Sequence, residues 1–286
     1  TEVGVSSGRC TLNNECDTIF TCGGVQSNHC RATAIAARQL GLDCYLFLRN
    51  SEQYAGASEY TYNYNYVTDS PGQLKICLKP YSSCSTVLIV NLIYFVRKQQ
   101  GSSVYLIEIG GSSYTGMVGY LTAFQEMMKK VHYVLEDYDD IVVTVGSGGT
   151  ASGIAIGNYM TSSKLKCLAH TVNVSDNAAY FYNKINEDLR IGGIDVKAED
   201  IIDIIDGYKG GGYGVSTQHE LGNIIQISRT AGILVDPVYN IKAIRRMLTE
   251  MTNNLGRLKG RRILYIHTGV VFRLYDGRMD SLITGL

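Results

Sequence analysis

The segment Gly23-Gly24-Val25-Gln26-Ser27-Asn28-His29-Cys30-Arg31-Ala32-Thr33-Ala34 constrains the fold more than any other part of the chain. It joins the apolar run Thr18-Ile19-Phe20-Thr21 to an amphipathic stretch ending at Leu40-Gly41. That order is strand, glycine turn, helix cap, helix. Gly24 suits a sharp turn, and Ser27 and Asn28 are residue types that cap helices. Helices need caps in any case, but Gln26, Ser27, Asn28 and His29 are more polar side chains than capping requires. They crowd onto a helix start, where free N–H groups and the helix dipole favour an anion such as a carboxylate. The segment therefore reads as a binding site.

Further along, apolar and amphipathic stretches alternate. Strands are predicted over 44–48, 104–109, 140–145, 166–174, 200–205 and 263–266. Helices are predicted over 86–97, 116–130, 177–189, from the glycine loop after 145 to about 160, from Thr217, and up to Asn254. Such alternation argues for parallel α/β sheets with flanking helices. The run Tyr60-Thr61-Tyr62-Asn63-Tyr64-Asn65-Tyr66 has strand period but no aliphatic face, and reads as an exposed hairpin or loop.

A second motif, Gly146-Ser147-Gly148-Gly149-Thr150, breaks the apolar strand Asp140-Ile141-Val142-Val143-Thr144-Val145 and opens a small-residue helix. Glycines let backbone N–H groups approach phosphate oxygens, the two hydroxyls add donors, and the helix dipole favours the dianion. Gly146, Gly148 and Ala151 also fit the permissive dinucleotide pattern, with Asp176 slightly late for its acidic partner. A nicotinamide-dependent oxidoreductase is thus one reading, supported by this loop alone.

With 286 residues the chain has room for two domains. Its 26 basic and 26 acidic residues cancel, which gives no footprint for nucleic acid. The cluster Lys259-Gly260-Arg261-Arg262 reads as a solvated turn. No apolar run approaches a membrane span and no signal-peptide pattern opens the chain. Eight cysteines without a C-x-x-C pair, and five histidines without zinc spacing, predict no metal and a reduced, cytoplasmic protein.

Together the two motifs, with Gly212-Tyr213-Gly214, Asp236-Pro237-Val238-Tyr239 and His267-Thr268-Gly269, carry a resemblance. In order and spacing they resemble pyridoxal-phosphate (PLP) enzymes of the tryptophan-synthase-β fold (PLP fold type II), in the branch of D-cysteine desulfhydrase and 1-aminocyclopropane-1-carboxylate (ACC) deaminase. Ile109-Gly110-Gly111-Ser112 with Gly116, Gly119 and Tyr120 matches a further family segment. The resemblance spans 17–272, poorly over 51–100. Within the branch, His29-Cys30-Arg31-Ala32-Thr33-Ala34 looks like desulfhydrase, and Asn240 stands where the deaminase usually has glutamate.

The resemblance implies two α/β domains, a smaller one over 1–111 and a larger one over 112–286, with ligand in the cleft between, and a homodimer. It implies a lyase that takes a small amino acid, D-cysteine, to pyruvate, hydrogen sulfide and ammonia. Gly146, Ser147, Gly148, Gly149 and Thr150 would hold the cofactor phosphate, Asn28 its ring hydroxyl, and Thr268 would face the ring nitrogen. Gln26, Ser27, Asn28 and His29 would take the substrate carboxylate, while Ser27, Tyr213 and Tyr239 would serve catalysis near the reacting carbon. Such an enzyme forms a Schiff base through a lysine that, carried over by spacing, falls just before Thr1, and the first lysine here is Lys75. The sequence read literally predicts no lysine-dependent turnover. Two readings stay open: an active enzyme whose lysine lies outside these residues, or an inactive pseudoenzyme or binding protein on the same fold.

Overall fold

Helices that connect strands of a parallel sheet return the chain to the same edge and cover both sheet faces. The computed structural model contains two such sheets, one in each of its two compact units, Thr1–Gly119 and Tyr120–Leu286. It describes residues 16–24, 27–50, 74–80, 94–95, 98–99, 101, 103–130, 138–163, 165–171, 177–207, 212, 214–260, 262–269, 271–275 and 277–283.

The first unit holds β1 (Thr18–Gly24), α1 (Asn28–Gln39), β2 (Asp43–Asn50), β3 (Leu74–Pro80) and β4 (Val104–Leu106), in the sheet order β3-β2-β1-β4. All pairs are parallel. Neighbouring residues of a strand point to opposite faces, and Ile19 and Phe20 divide accordingly. Ile19 packs with Cys44, Leu46 and Leu48 beneath Cys30, Ala34 and Ala37 of α1, whose helical spacing forms one buried stripe. Phe20 joins Cys22 and Phe47 on the other face.

In the second unit α2 (Tyr114–Lys130), which crosses the division, leads to β5 (Asp140–Val145), α3 (Gly149–Met160), β6 (Lys166–Thr171), α4 (Ala178–Ile191), α5 (Ala198–Ile201) and β7 (Asp203–Ile205). Next come α6 (Gln218–Ala231), α7 (Asn240–Asn253), β8 (Ile263–Tyr265) and α8 (Asp280–Ile283). The order is β7-β6-β5-β8, again wholly parallel. Val142, Leu168 and Ile205 form one core face with Met247 of α7. Asp140 is fully buried at the start of β5 and accepts the N–H groups of Lys259 (2.8 Å) and Gly260 (2.9 Å), where the chain bends; Arg261 of the basic cluster lies outside the described residues.

Several expectations need correcting. Gly23 and Gly24 end β1 without positive φ, and the expected turn follows from Gly24, whose carbonyl accepts from Ser27 N at 2.8 Å. The glycine requirement at 23 is one of contact: a Cβ there would stand 2.7 Å from Cys30 Sγ and 2.8 Å from Ser27 Oγ. The extended run at 104–109 stops at Leu106, and Ile109–Gly111 forms a 3-10 turn with Gly110 and Gly111 at positive φ. The acidic strand at 200–205 begins instead as the short helix α5, whose first N–H, from Ala198, is taken by Asn186 Oδ1 at 2.8 Å. Strand β3 was missed, although Leu74, Ile76 and Leu78 alternate with Lys75, Cys77 and Lys79. Cys16 is disulfide-bonded, against the expectation of reduced thiols, whereas Cys22, Cys30, Cys44 and Cys167 are buried thiols outside any disulfide. The tyrosine run at 60–66 lies outside the described residues, as does most of the predicted helix 86–97, where Tyr94 and Phe95 are helical.

Candidate active site

Ligands of parallel α/β sheets bind beyond the carboxyl ends of the strands, where the strand order reverses. In the first unit that point lies between β1 and β4, and in the second between β5 and β8. The motifs singled out in the sequence follow β1, β5 and β8.

Beyond β1, Ser27 caps α1, its Oγ accepting from Cys30 N at 3.2 Å. The N–H groups of Asn28 and His29 follow in the first turn, where no intrahelical acceptor reaches them. Asn28 Oδ1 accepts from Arg31 Nη2 at 2.5 Å, so its amide nitrogen remains the outward donor. The ring of His29 is buried. Thr21 has one hydroxyl hydrogen, and it goes to the carbonyl of Ile107 at 2.9 Å. The 2.8 Å contact between Thr21 Oγ1 and His29 Nε2 is therefore an N–H donation from the histidine, which leaves Nδ1 unprotonated, buried and without a partner among the described residues. Burial pushes the His29 pKa down to about 4, so the imidazole is neutral at physiological pH.

Beyond β5, Gly148 sits at φ +109°, a region that side chains resist. A Cβ on Gly146 would stand 2.8 Å from Cε1 of Tyr239. Helix α3 starts without a side-chain cap and without an acidic residue in its first turn. A phosphate monoester needs close backbone, free first-turn N–H groups and no competing carboxylate, and this loop supplies all three. Ser147 and Thr150 are half-buried within it. Behind it Ser152 Oγ donates to the fully buried Asp188 at 2.7 Å, and Lys184 Nζ pairs with the same carboxylate at 3.1 Å.

Beyond β8, Thr268 is held by a polar cluster. The buried carboxylate of Asp236 accepts the N–H groups of Val238 (2.7 Å), Tyr239 (2.8 Å) and Asn240 (2.8 Å), and Asn240 Nδ2 at 2.6 Å. Burial raises the Asp236 pKa, opposed by these four donors. Asn240 Nδ2 also reaches Thr268 Oγ1 and the Gly269 carbonyl, each at 3.2 Å. Its Oδ1 accepts from Tyr265 Oη (2.9 Å) and Thr268 N (3.2 Å). His267 completes the loop, its Nδ1 accepting from Gly269 N at 3.1 Å and its Nε2 donating to Leu234 O at 2.9 Å.

The residues after β5 and β8 thus fit a phosphorylated heteroaromatic cofactor, with phosphate on the glycine loop and a neutral hydroxyl for a ring nitrogen. That combination defines a cofactor-binding α/β protein of the PLP type. Comparison with known proteins then fixes the family. The family described as pyridoxal-phosphate dependent enzymes matches residues 6–269, and the chain belongs to it. The bifunctional D-cysteine desulfhydrase/1-aminocyclopropane-1-carboxylate deaminase, mitochondrial, of Arabidopsis thaliana is 35% identical over 95% of this chain and 68% of its own length. A D-cysteine desulfhydrase of Klebsiella pneumoniae is 28% identical over 90% and 77%. A crystallised ACC deaminase homologue superposes with TM-score 0.79 at 27% identity, covering 99% of this chain and 82% of its own. A pyridoxal 5'-phosphate-dependent aspartate racemase shares the fold alone, with TM-score 0.60 at 16% identity over 94% and 78%. The fold is PLP fold type II, and the family is PLP-dependent.

Of the expected site residues, Gly146, Tyr239 and Thr268 stand at one switch point with Asn240 and Asp236. Ser27, Asn28 and His29 stand at the other. Gln26 and Tyr213 lie outside the described residues, as does Asp176, which the nicotinamide reading needed. Beside Tyr213, the Gly212 carbonyl accepts from the buried Lys242 at 2.8 Å and the Gly214 carbonyl from Arg278 at 2.9 Å. Burial lowers the Lys242 pKa. Sequence reasoning gave Asp236 and Lys242 no role. An aspartate two to four residues before a helix start is a turn and cap signature, and could have flagged Asp236. Nothing local marks Lys242 as buried. Among the described residues no helix is long and apolar enough to cross a membrane, and no group of His, Cys, Asp and Glu is placed to hold a metal.

Proposed function

We propose that the chain is a carbon–sulfur lyase of the D-cysteine desulfhydrase type, converting D-cysteine and water to pyruvate, hydrogen sulfide and ammonia. One observation carries this choice over the deaminase: a neutral amide, Asn240, stands where the deaminase usually has glutamate, and it is committed to Thr268 and Asp236. When bound, PLP supplies the electron sink for charge that develops at the substrate α-carbon. Gly146, Ser147, Gly148, Gly149 and Thr150 hold its phosphate, Asn28 donates to its ring hydroxyl and Thr268 to its ring nitrogen. The substrate carboxylate is held by Gln26, the Ser27 hydroxyl and the N–H groups of Asn28 and His29. His29 acts here through its backbone, since its imidazole is buried against Thr21. Tyr213 and Tyr239 orient the reacting carbon and move its proton.

The anchoring lysine is not among the residues assigned, as the sequence has none before Lys75. A homodimer and a cytoplasmic location rest on the family resemblance and composition. The test is turnover by the protein purified from its natural source and supplied with PLP. Sulfide and pyruvate from D-cysteine support the proposal. Faster release of ammonia and a four-carbon 2-oxo acid from ACC supports the deaminase. Bound PLP with neither reaction supports the pseudoenzyme.

A further inference from the structure

The cluster behind Thr268 fixes which hydrogen each group gives. The Asp236 carboxylate receives four N–H donors, so the Asn240 amide must face it with Nδ2, and its Oδ1 must face the N–H of Thr268. The second Nδ2 hydrogen is shared between Thr268 Oγ1 and the Gly269 carbonyl. Thr268 Oγ1 is therefore an acceptor toward Asn240. Among the described residues its own hydrogen has one alternative, Asn240 Oδ1, which at 3.5 Å is beyond useful O–H···O range and already takes Tyr265 and Thr268 N.

We propose that Asn240 is a positioning residue that turns the Thr268 hydroxyl into an obligatory donor toward the ligand. A threonine hydroxyl can equally accept, so Thr268 alone does not distinguish an unprotonated ring nitrogen from a protonated one or from a C–H. With Asn240 locked by Asp236, the loop after β8 selects a ring carrying an unprotonated acceptor nitrogen. The inference rests on the reading of Thr268 as the partner of the ring nitrogen, and adds a residue that acts through it.

The test compares dissociation constants, by equilibrium dialysis, for PLP and for its analogue with the ring nitrogen replaced by C–H. One donated hydrogen bond gives the wild type a preference of about fivefold for PLP. In Asn240→Asp the side chain offers Thr268 an oxygen instead of an N–H, the hydroxyl hydrogen turns inward, and the preference falls to about one. Asn240→Ala lets water replace the amide and compete for the Thr268 hydroxyl hydrogen, which lowers the ratio part of the way, and serves if Asn240→Asp fails to give a cooperative melt. Tyr265→Phe keeps it, because Asp236 still orients the amide. A merely structural role for Asn240 would weaken both ligands equally and leave the ratio unchanged, which overturns the inference. Thr268→Val separates the two levels. A ratio lost in Thr268→Val but kept in both Asn240 variants refutes the role of Asn240 alone. No preference in the wild type refutes the Thr268 reading and the inference with it.

Discussion

Acid should weaken the first unit through His29 in particular. The ring donates Nε2–H to Thr21, and its Nδ1 is buried with no partner among the described residues, so protonation places a charge where none of them receives it. The native pKa is about 4 against an ordinary value of 6.5. Because the native value is depressed, the unfolded chain takes the proton first. The His29 contribution is thus fully present above pH 6.5 and is lost as pH falls from 6.5 towards 4. From that difference the loss relative to pH 7 is about 2 kcal/mol at pH 5 and about 3 kcal/mol at pH 4. Carboxylates titrate in the same range, so the quantity to measure is a difference. His29→Gln keeps a neutral N–H donor for Thr21 and cannot be protonated. Native-state hydrogen exchange over 18–40, measured from pH 7 to pH 4, gives the local opening free energy of β1 and α1 in both proteins. The wild type should fall more steeply than the variant, the gap widening by about 2 kcal/mol between pH 7 and pH 5. Parallel pH profiles, or a His29 resonance that titrates near 6.5, would falsify the tautomer and burial argument.

Other perturbations probe the scaffold. At Gly157 a Cβ would lie 2.9 Å from Cβ and 3.0 Å from Cγ of the buried Phe124. Gly157→Ala should cost about 1–3 kcal/mol in urea unfolding despite its better helix propensity. Thr217→Ala removes a complete capping box with Glu220 from α6 and should cost about 1 kcal/mol by the same assay. Ser152→Ala leaves the buried Asp188 one donor short, at a cost of about 1–3 kcal/mol, and by loosening the first turn of α3 should also weaken PLP binding in dialysis. The Arg257–Asp203 pair is bidentate but about a quarter exposed, so Arg257→Lys should change stability by less than about 1 kcal/mol.

What the sequence disclosed follows from how local each cause is. The strand–loop–helix units at β1–α1 and β5–α3 were legible because hydrophobic period and cap residues are neighbours in the chain. Fold type II and the cofactor followed from motifs that recur in fixed order. The requirement for glycine at 23 was not legible, because the close approach of Cys30 and Ser27 is a packing fact rather than a local signal. Likewise the side chain of His29 was counted among the polar groups expected to take a carboxylate, whereas its ring is buried. Its neutrality comes from burial, and its tautomer depends on Ile107, which uses the only hydrogen of Thr21 from a distant point in the chain. The bond from Lys242 to Gly212 is equally non-local. Strand β3 was missed although its alternation was present, because the stretch around it matches the family poorly.

The account stands most directly on the glycine loop after β5 as the seat of the cofactor phosphate. Affinities for PLP and for pyridoxal, which lacks the phosphate, should be measured in the wild type and in Gly148→Val, which places a β-branched residue at φ +109°. The wild type should bind PLP at least about tenfold more tightly than pyridoxal, and Gly148→Val should lose that preference while keeping its fold by circular dichroism. Equal affinity for the two ligands in the wild type, or a preference untouched by Gly148→Val, would contradict it.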